Sequence, residues 1–158
     1  MVVVLFGCAG QKKIVETESG MPEIIIKTSN MDAVKSFLIS KMLEEGEEEW
    51  NYFLIDDSKD SLTFTRQVKA GDEADKAQLM VGTRYGTRPE RVVVFNLMRI
   101  QDAIQTVAFP SLSSQNGFGQ TNKVSLENNI AVFNALQELL ISMKTKIESD
   151  LKLNLIPQ

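Results

Sequence analysis

The sequence predicts an α+β fold: an antiparallel meander sheet of about six strands, one short helix after strand 1, and a long C-terminal helix packed across the sheet. Three observations carry this reading. Ser61 to Val68 alternates, with Leu62, Phe64, Arg66 and Val68 on one face and Ser61, Thr63 and Thr65 on the other. Beyond Ser125, the residues Ile130, Phe133, Leu136, Leu140, Met143, Ile147 and Leu151 step by three or four, which makes one continuous apolar stripe on a helix. Between the first helix and the last, short apolar runs follow one another across turn residues, as antiparallel neighbours do.

Residues 1–8 form a short apolar run ending at the only cysteine, 9–22 read as a flexible polar tether, and 23–158 as a single domain. Within the domain, Glu23 to Thr28 is a β-branched strand. Ser29 and Asn30 offer a helix N-cap, Val34, Phe37, Leu38 and Met42 follow at helical spacing, and Gly46 takes the C-cap position. The acidic cluster from Glu44 to Glu49 reads as a solvated rim ahead of a cation-binding surface. Trp50 to Ile55 and Ser61 to Val68 make a hairpin across Asp56 to Asp60, whose aspartates lack the ligand spacing of a calcium loop. Residues 69–77 read as a polar loop and Gln78 to Tyr85 as a strand. That strand turns at Gly86 to Glu90 into a partner at Arg91 to Met98, and a last strand runs from Ala103 to Phe109. Pro110 to Asn122 reads as a long loop, with Phe118 on a mobile backbone between two glycines, and the C-terminal helix begins near Ser125.

The stretch Leu5-Phe6-Gly7-Cys8 resembles the lipobox of bacterial lipoproteins, with the match on Leu5, Gly7 and Cys8. The resemblance implies a truncated signal peptide, diacylglyceryl attachment to the Cys8 thiol, cleavage before it and palmitate-type acylation of the new amino terminus. Two or three acyl chains hold a protein on a bilayer far more firmly than one, since each buried methylene contributes about 0.8 kcal/mol. Phe6 is bulkier than the family's usual residue, and no basic region precedes the apolar run. Two other readings stand beside this one. Val2 to Phe6 is also compatible with a buried strand next to a buried thiol. A phosphate loop fits poorly, because only two residues separate Gly7 from Gly10 and Lys13 stands where a hydroxyl is needed.

A wider likeness rests on Asp32-Ala33-Val34, Met42-Leu43-Glu44-Glu45-Gly46, Leu62-Thr63-Phe64 and the turn Tyr85-Gly86-Thr87-Arg88-Pro89-Glu90-Arg91-Val92. These resemble segments of small, largely uncharacterised Gram-negative lipoproteins, and the element order resembles the helix-grip arrangement. The likeness implies an anchor and a fold without an activity. By analogy with helix-grip lipoproteins that serve large envelope assemblies, it implies a subunit of a secretion or assembly complex. Ala9 after the cysteine resembles the signal for transfer to the outer membrane, facing the periplasm.

Composition narrows the remaining classes. The chain of 158 residues carries a formal net charge of −4 and has no basic stripe, which disfavours nucleic acid. It contains one cysteine and no histidine, so an internal disulfide, zinc sites of the usual kinds and histidine-based catalysis all lack their residues. A non-enzymatic docking or structural protein is therefore expected, with an envelope protein partner, no cofactor and no metal. Phe118, Arg84 and Arg88 are the expected partner contacts. The alternative is a periplasmic carrier holding a lipid or other hydrophobic ligand between sheet and C-terminal helix, in a dry pocket lined by Phe64, Val94, Phe133 and Leu140.

Overall fold

The computed structural model describes residues 12–44, 51–83 and 86–153. The chain forms β1 (Glu23–Ile26), α1 (Met31–Met42), β2 (Phe53–Ser58), β3 (Ser61–Gln67), α2 (Asp72–Val81), β4 (Glu90–Ile100), β5 (Ala103–Gln115), β6 (Thr121–Ser125) and α3 (Ile130–Leu153). All strand pairs are antiparallel, in the order β1-β5-β4-β3-β2, with β6 also on β5. The predicted α+β class, the six-stranded antiparallel sheet and the long C-terminal helix packed against it are all present.

β1 and β6 lie end to end along one edge of β5, on Ile104 to Val107 and on Ser111 to Gln115. This explains a departure from the sequence reading, which ended the last strand before Pro110. The Ala108 N–H points to that edge and donates to the Pro22 carbonyl, and the Pro110 carbonyl on the same edge accepts from Leu126. The N–H that proline lacks therefore falls at the gap between β1 and β6, where no ladder bond is lost, and the strand runs on to Gln115. The expected loop at 110–122 is in fact the second half of β5, a short turn and the start of β6.

α2 is the second correction. The expected loop at 69–77 and the expected strand at Gln78 to Tyr85 are replaced by one helix from Asp72 to Val81. Asp72, Glu73 and Asp75 sit in its first turn, where carboxylates meet the positive end of the helix dipole, and Gly82 closes it in the left-handed conformation at φ 73°. Its buried face is Ala74, Ala77 and Val81, whereas Leu79 and Met80, the residues that suggested a strand, are 70% and 53% exposed. Apolarity on the wrong face misled the pattern. α1 ends at Met42, ahead of Gly46, which lies outside the described residues.

One face of the sheet meets the helices. Leu62 and Phe64 of β3, Phe95 and Leu97 of β4 and Ile104 of β5 pack with α1 and with Phe133, Leu140 and Met143 of α3. Phe64 and Phe95 meet edge to face at 5.9 Å between ring centres. A smaller cluster of Val68, Ala74, Ala77, Val81, Leu112 and Leu126 lies under α2 at the other end. α1 is capped by Asn30, whose side chain accepts from the Ala33 N–H at 3.0 Å. Asn129 caps α3 in the same way, through the Val132 N–H.

Two carboxamides one turn apart on α3 hold the chain that enters β1. Gln137, buried, donates to the Glu23 carbonyl and accepts from the Glu23 N–H, both at 2.9 Å. Asn134 donates to the Lys12 carbonyl and accepts from the Ile14 N–H, both at 3.0 Å. Each side chain answers a backbone donor and acceptor as a neighbouring strand would. The Lys13 ammonium lies 4.3 Å from the centre of the Phe133 ring. Residues 12–22, the described part of the expected tether, thus run along α3.

Candidate functional site

Leu5, Gly7 and Cys8 lie outside the described residues, as does Arg84. Phe118 and Arg88 are described, and the fold brings both to the end of the molecule where β5 and β6 meet.

Phe118 occupies the tip of the β5–β6 hairpin and is 94% exposed. The expectation of a mobile backbone does not match the bonding of this turn. The Asn116 N–H donates to the Gln120 carbonyl at 2.9 Å, closing the hairpin. The Asn116 side-chain oxygen accepts from the N–H groups of Phe118 and Gln120 at 3.0 and 2.9 Å, and its amide nitrogen donates to Gln120 Oε1. Gly119 supplies the left-handed residue at φ 79° that the turn needs, and its N–H donates to the Asn116 carbonyl. An asparagine that satisfies its own loop is a common turn device. Here it holds an apolar ring in water.

The base of the hairpin is braced by Thr83, Gly86 and Thr87. Thr87 donates its N–H to the Gln115 carbonyl at 2.8 Å and receives the Gln115 N–H on its hydroxyl. Ser114 Oγ donates to the Thr87 carbonyl and accepts from Thr83 Oγ1, both at 2.8 Å. Gly86 passes so close that a Cβ there would collide with the Gln115 carbonyl oxygen. Arg88 sits beside this brace in an open polar cleft of about 370 Å³, with Gln67, Glu90 and Thr121 on its walls. Arg91 pairs with Glu73 of α2, while Glu90 accepts from the Thr65 hydroxyl.

A second polar constellation lies where the two core clusters meet. Arg66 and Arg91 are register partners on the helix-facing side of β3 and β4. Arg66 lies over the Tyr52 ring, 5.0 Å from its centre. Burial pushes the Tyr52 phenol above its ordinary value of 10.0, and the positive charges of Arg66 and Arg91, with a hydrogen bond from Arg91, pull partly against that rise. A half-open cleft of about 220 Å³ adjoins them under the first turns of α3, walled by Val93, Pro110, Leu126 and Leu136. Arg66 in the apolar phase of β3 was the sequence signal for this seam.

Comparison with known proteins finds no family model, no curated protein and no solved structure that matches this chain. The site is therefore read from its own geometry. Phe64, Phe133 and Leu140 are fully buried in the main core cluster. Val94 lies in the opposite phase, paired with Thr63 and Phe109 on the face away from the helices. Among the described residues no cluster of acidic, histidine or cysteine side chains is placed to hold a metal ion, and no helix is long and apolar enough to cross a membrane.

Proposed function

We propose that this chain is a membrane-anchored envelope lipoprotein whose domain is a non-enzymatic docking subunit, facing the periplasm from the outer membrane. Its contact with an envelope protein partner is the β5–β6 hairpin end. The observation that carries the docking reading is Phe118: an aromatic ring almost wholly in water, on a turn closed by three hydrogen bonds to the side chains of Asn116 and Gln120 and by its backbone ladder. Ordering the tip before contact lowers the entropy lost on binding, and buried aromatic anchors dominate interface energies. Arg88 beside the hairpin base supplies a cation at the rim of the same surface. A subunit of a secretion or assembly complex is the concrete version of this role.

The anchor reading rests on the lipobox resemblance at Leu5, Gly7 and Cys8. With Lys12 bonded to Asn134, only the span from Cys8 to Lys12 is left to act as a spacer, about 14 Å if fully extended. A domain held that closely would keep α3 near the headgroups. Intact mass spectrometry of the chain from its own host's membranes, beside a Cys8→Ser variant, tests the anchor. The expected product begins at Cys8 with acyl mass added, and a full-length unmodified chain in the soluble fraction would remove the membrane from the proposal. A photocrosslinker at position 118 tests the docking surface separately: it is expected to capture a discrete envelope protein, with capture lost on moving the probe to exposed Lys59.

A further inference from the structure

The face of the sheet turned away from the helices is lined largely by apolar side chains that are partly or well exposed. Register places it without ambiguity. One row across the strands is Asp56, Thr63, Val94 and Phe109, the next is Phe53, Thr65 and Val92, and a third joins Asn96 with Val107. Phe53 is 67% exposed, and Met98 further along β4 is 56% exposed. Charged residues make up 24% of the chain, yet Glu90 alone among the outward-facing residues of the central strands β3, β4 and β5 is charged, at the strand end, and the other charges in outward register, Asp56, Glu23 and Lys123, lie on the outer strands β2, β1 and β6. Apolar patches of several hundred Å² on a soluble protein mark an interaction site.

We infer that this face pairs with the same face of a second copy of the chain. The size fits: β4 is eleven residues long and five strands lie side by side, which at about 3.4 Å per residue and 4.8 Å per strand gives roughly 700 Å² once the shorter outer strands are allowed for. A stable interface takes about 800 Å² per partner. The chemistry fits a like partner too. An isologous contact brings each residue near its own symmetry mate or a neighbour of it, so charges at the centre would repel. Here the polar residues of the centre are Thr63, Asn96 and Gln105, each of which both donates and accepts and can therefore bond to its own kind, while the Thr65 hydroxyl donates to Glu90 at the strand end. A partner chosen by charge would find nothing at the centre to read. Two open sheets packed face to face, about 10 Å apart and with strands nearly aligned, form the common β-sandwich geometry. The hairpin tip with Phe118 stays outside this contact, so the two surfaces act independently.

Sedimentation equilibrium on the full chain carrying Cys8→Ser, between about 1 and 100 µM, is the test. The expected mass at the upper end is twice 17.7 kDa. Val94→Lys, at the middle of the face, is expected to weaken the dimer at least 100-fold while leaving the thermal unfolding of the monomer cooperative. Should Val94→Lys fail to fold, Thr65→Lys on the neighbouring strand serves, since its side chain is already half-exposed and polar. A monomer at 100 µM would overturn the inference. So would a dimer indifferent to either lysine, because its contact would then lie on another face.

Discussion

The two ends of the helix-facing side are built from different materials. Toward β1, the sheet is covered by α1 and α3 through Phe64, Phe95, Phe133, Leu140 and Met143, all fully buried. Toward β6, α2 covers it through Ala74, Ala77 and Val81 against Val68, Leu112 and Leu126. Alanine removes little area from water, while each buried Leu or Phe side chain contributes about 1.5–3 kcal/mol. The first end should therefore carry the global stability, and the second should open locally at a lower cost. The hairpin end described above belongs to the second half, since Thr83 at the end of α2 bonds to Ser114 of β5.

The largest expected effect tests the first end. Phe133→Ala empties a site with no exposure and removes the ring beneath Lys13. A loss of about 3–5 kcal/mol is expected in urea unfolding, in keeping with large-to-small changes in packed cores. A loss under about 1 kcal/mol would mean that α3 is not the principal cover of the sheet.

The same contrast explains what could be read in advance. The α3 stripe and the β3 alternation were legible because large apolar residues at a regular period declare both the element and its buried face. α2 was not, since alanine is neutral in any pattern and the conspicuous Leu79 and Met80 face water. β5 was cut short because a proline inside a strand argues against the strand unless its missing N–H is known to fall in a gap, which is a tertiary fact. The clamps at Asn134 and Gln137 look like ordinary polar helix residues until the chain entering β1 lies beside them. Of the site, Phe118 between Gly117 and Gly119 stood out by composition. The asparagine bonds that order its turn did not, and Cys8 and Arg84 lie outside the described residues.

An intermediate effect tests the second end. Gly82 is in the left-handed conformation, with open space where a Cβ would go, so Gly82→Ala is opposed by backbone strain and not by a clash. The expected cost is about 1 kcal/mol. If α2 opens on its own, hydrogen exchange should speed up along Ala74 to Val81 while the amides of α3 around Leu140 keep their protection. Equal acceleration in both helices would show that the sheet has one cooperative cover and that the contrast in materials has no dynamic consequence.

The smallest effect reports on the seam between the two ends. Tyr52 is buried against Arg66 and Arg91, and Arg91 in turn reaches Glu73 on α2. The phenol ionises above 10.0 in the folded chain and near that value when unfolded. Between the two values the unfolded state has released a proton that the folded state keeps, so it binds fewer protons and stability falls as pH rises. The contribution is whole below pH 10.0 and disappears as pH passes through the folded value. Absorbance titration near 295 nm in a Tyr85→Phe background should show a single phenol ionising late. Arg91→Gln should move it later still, because the guanidinium favours the phenolate and its loss leaves burial less opposed. A shift to lower pH on that substitution would mean that opening the seam to water outweighs the lost charge. Arg91 would then act chiefly as the strut holding α2 against the sheet through Glu73, and the two ends would be coupled through that ion pair more than through apolar contact.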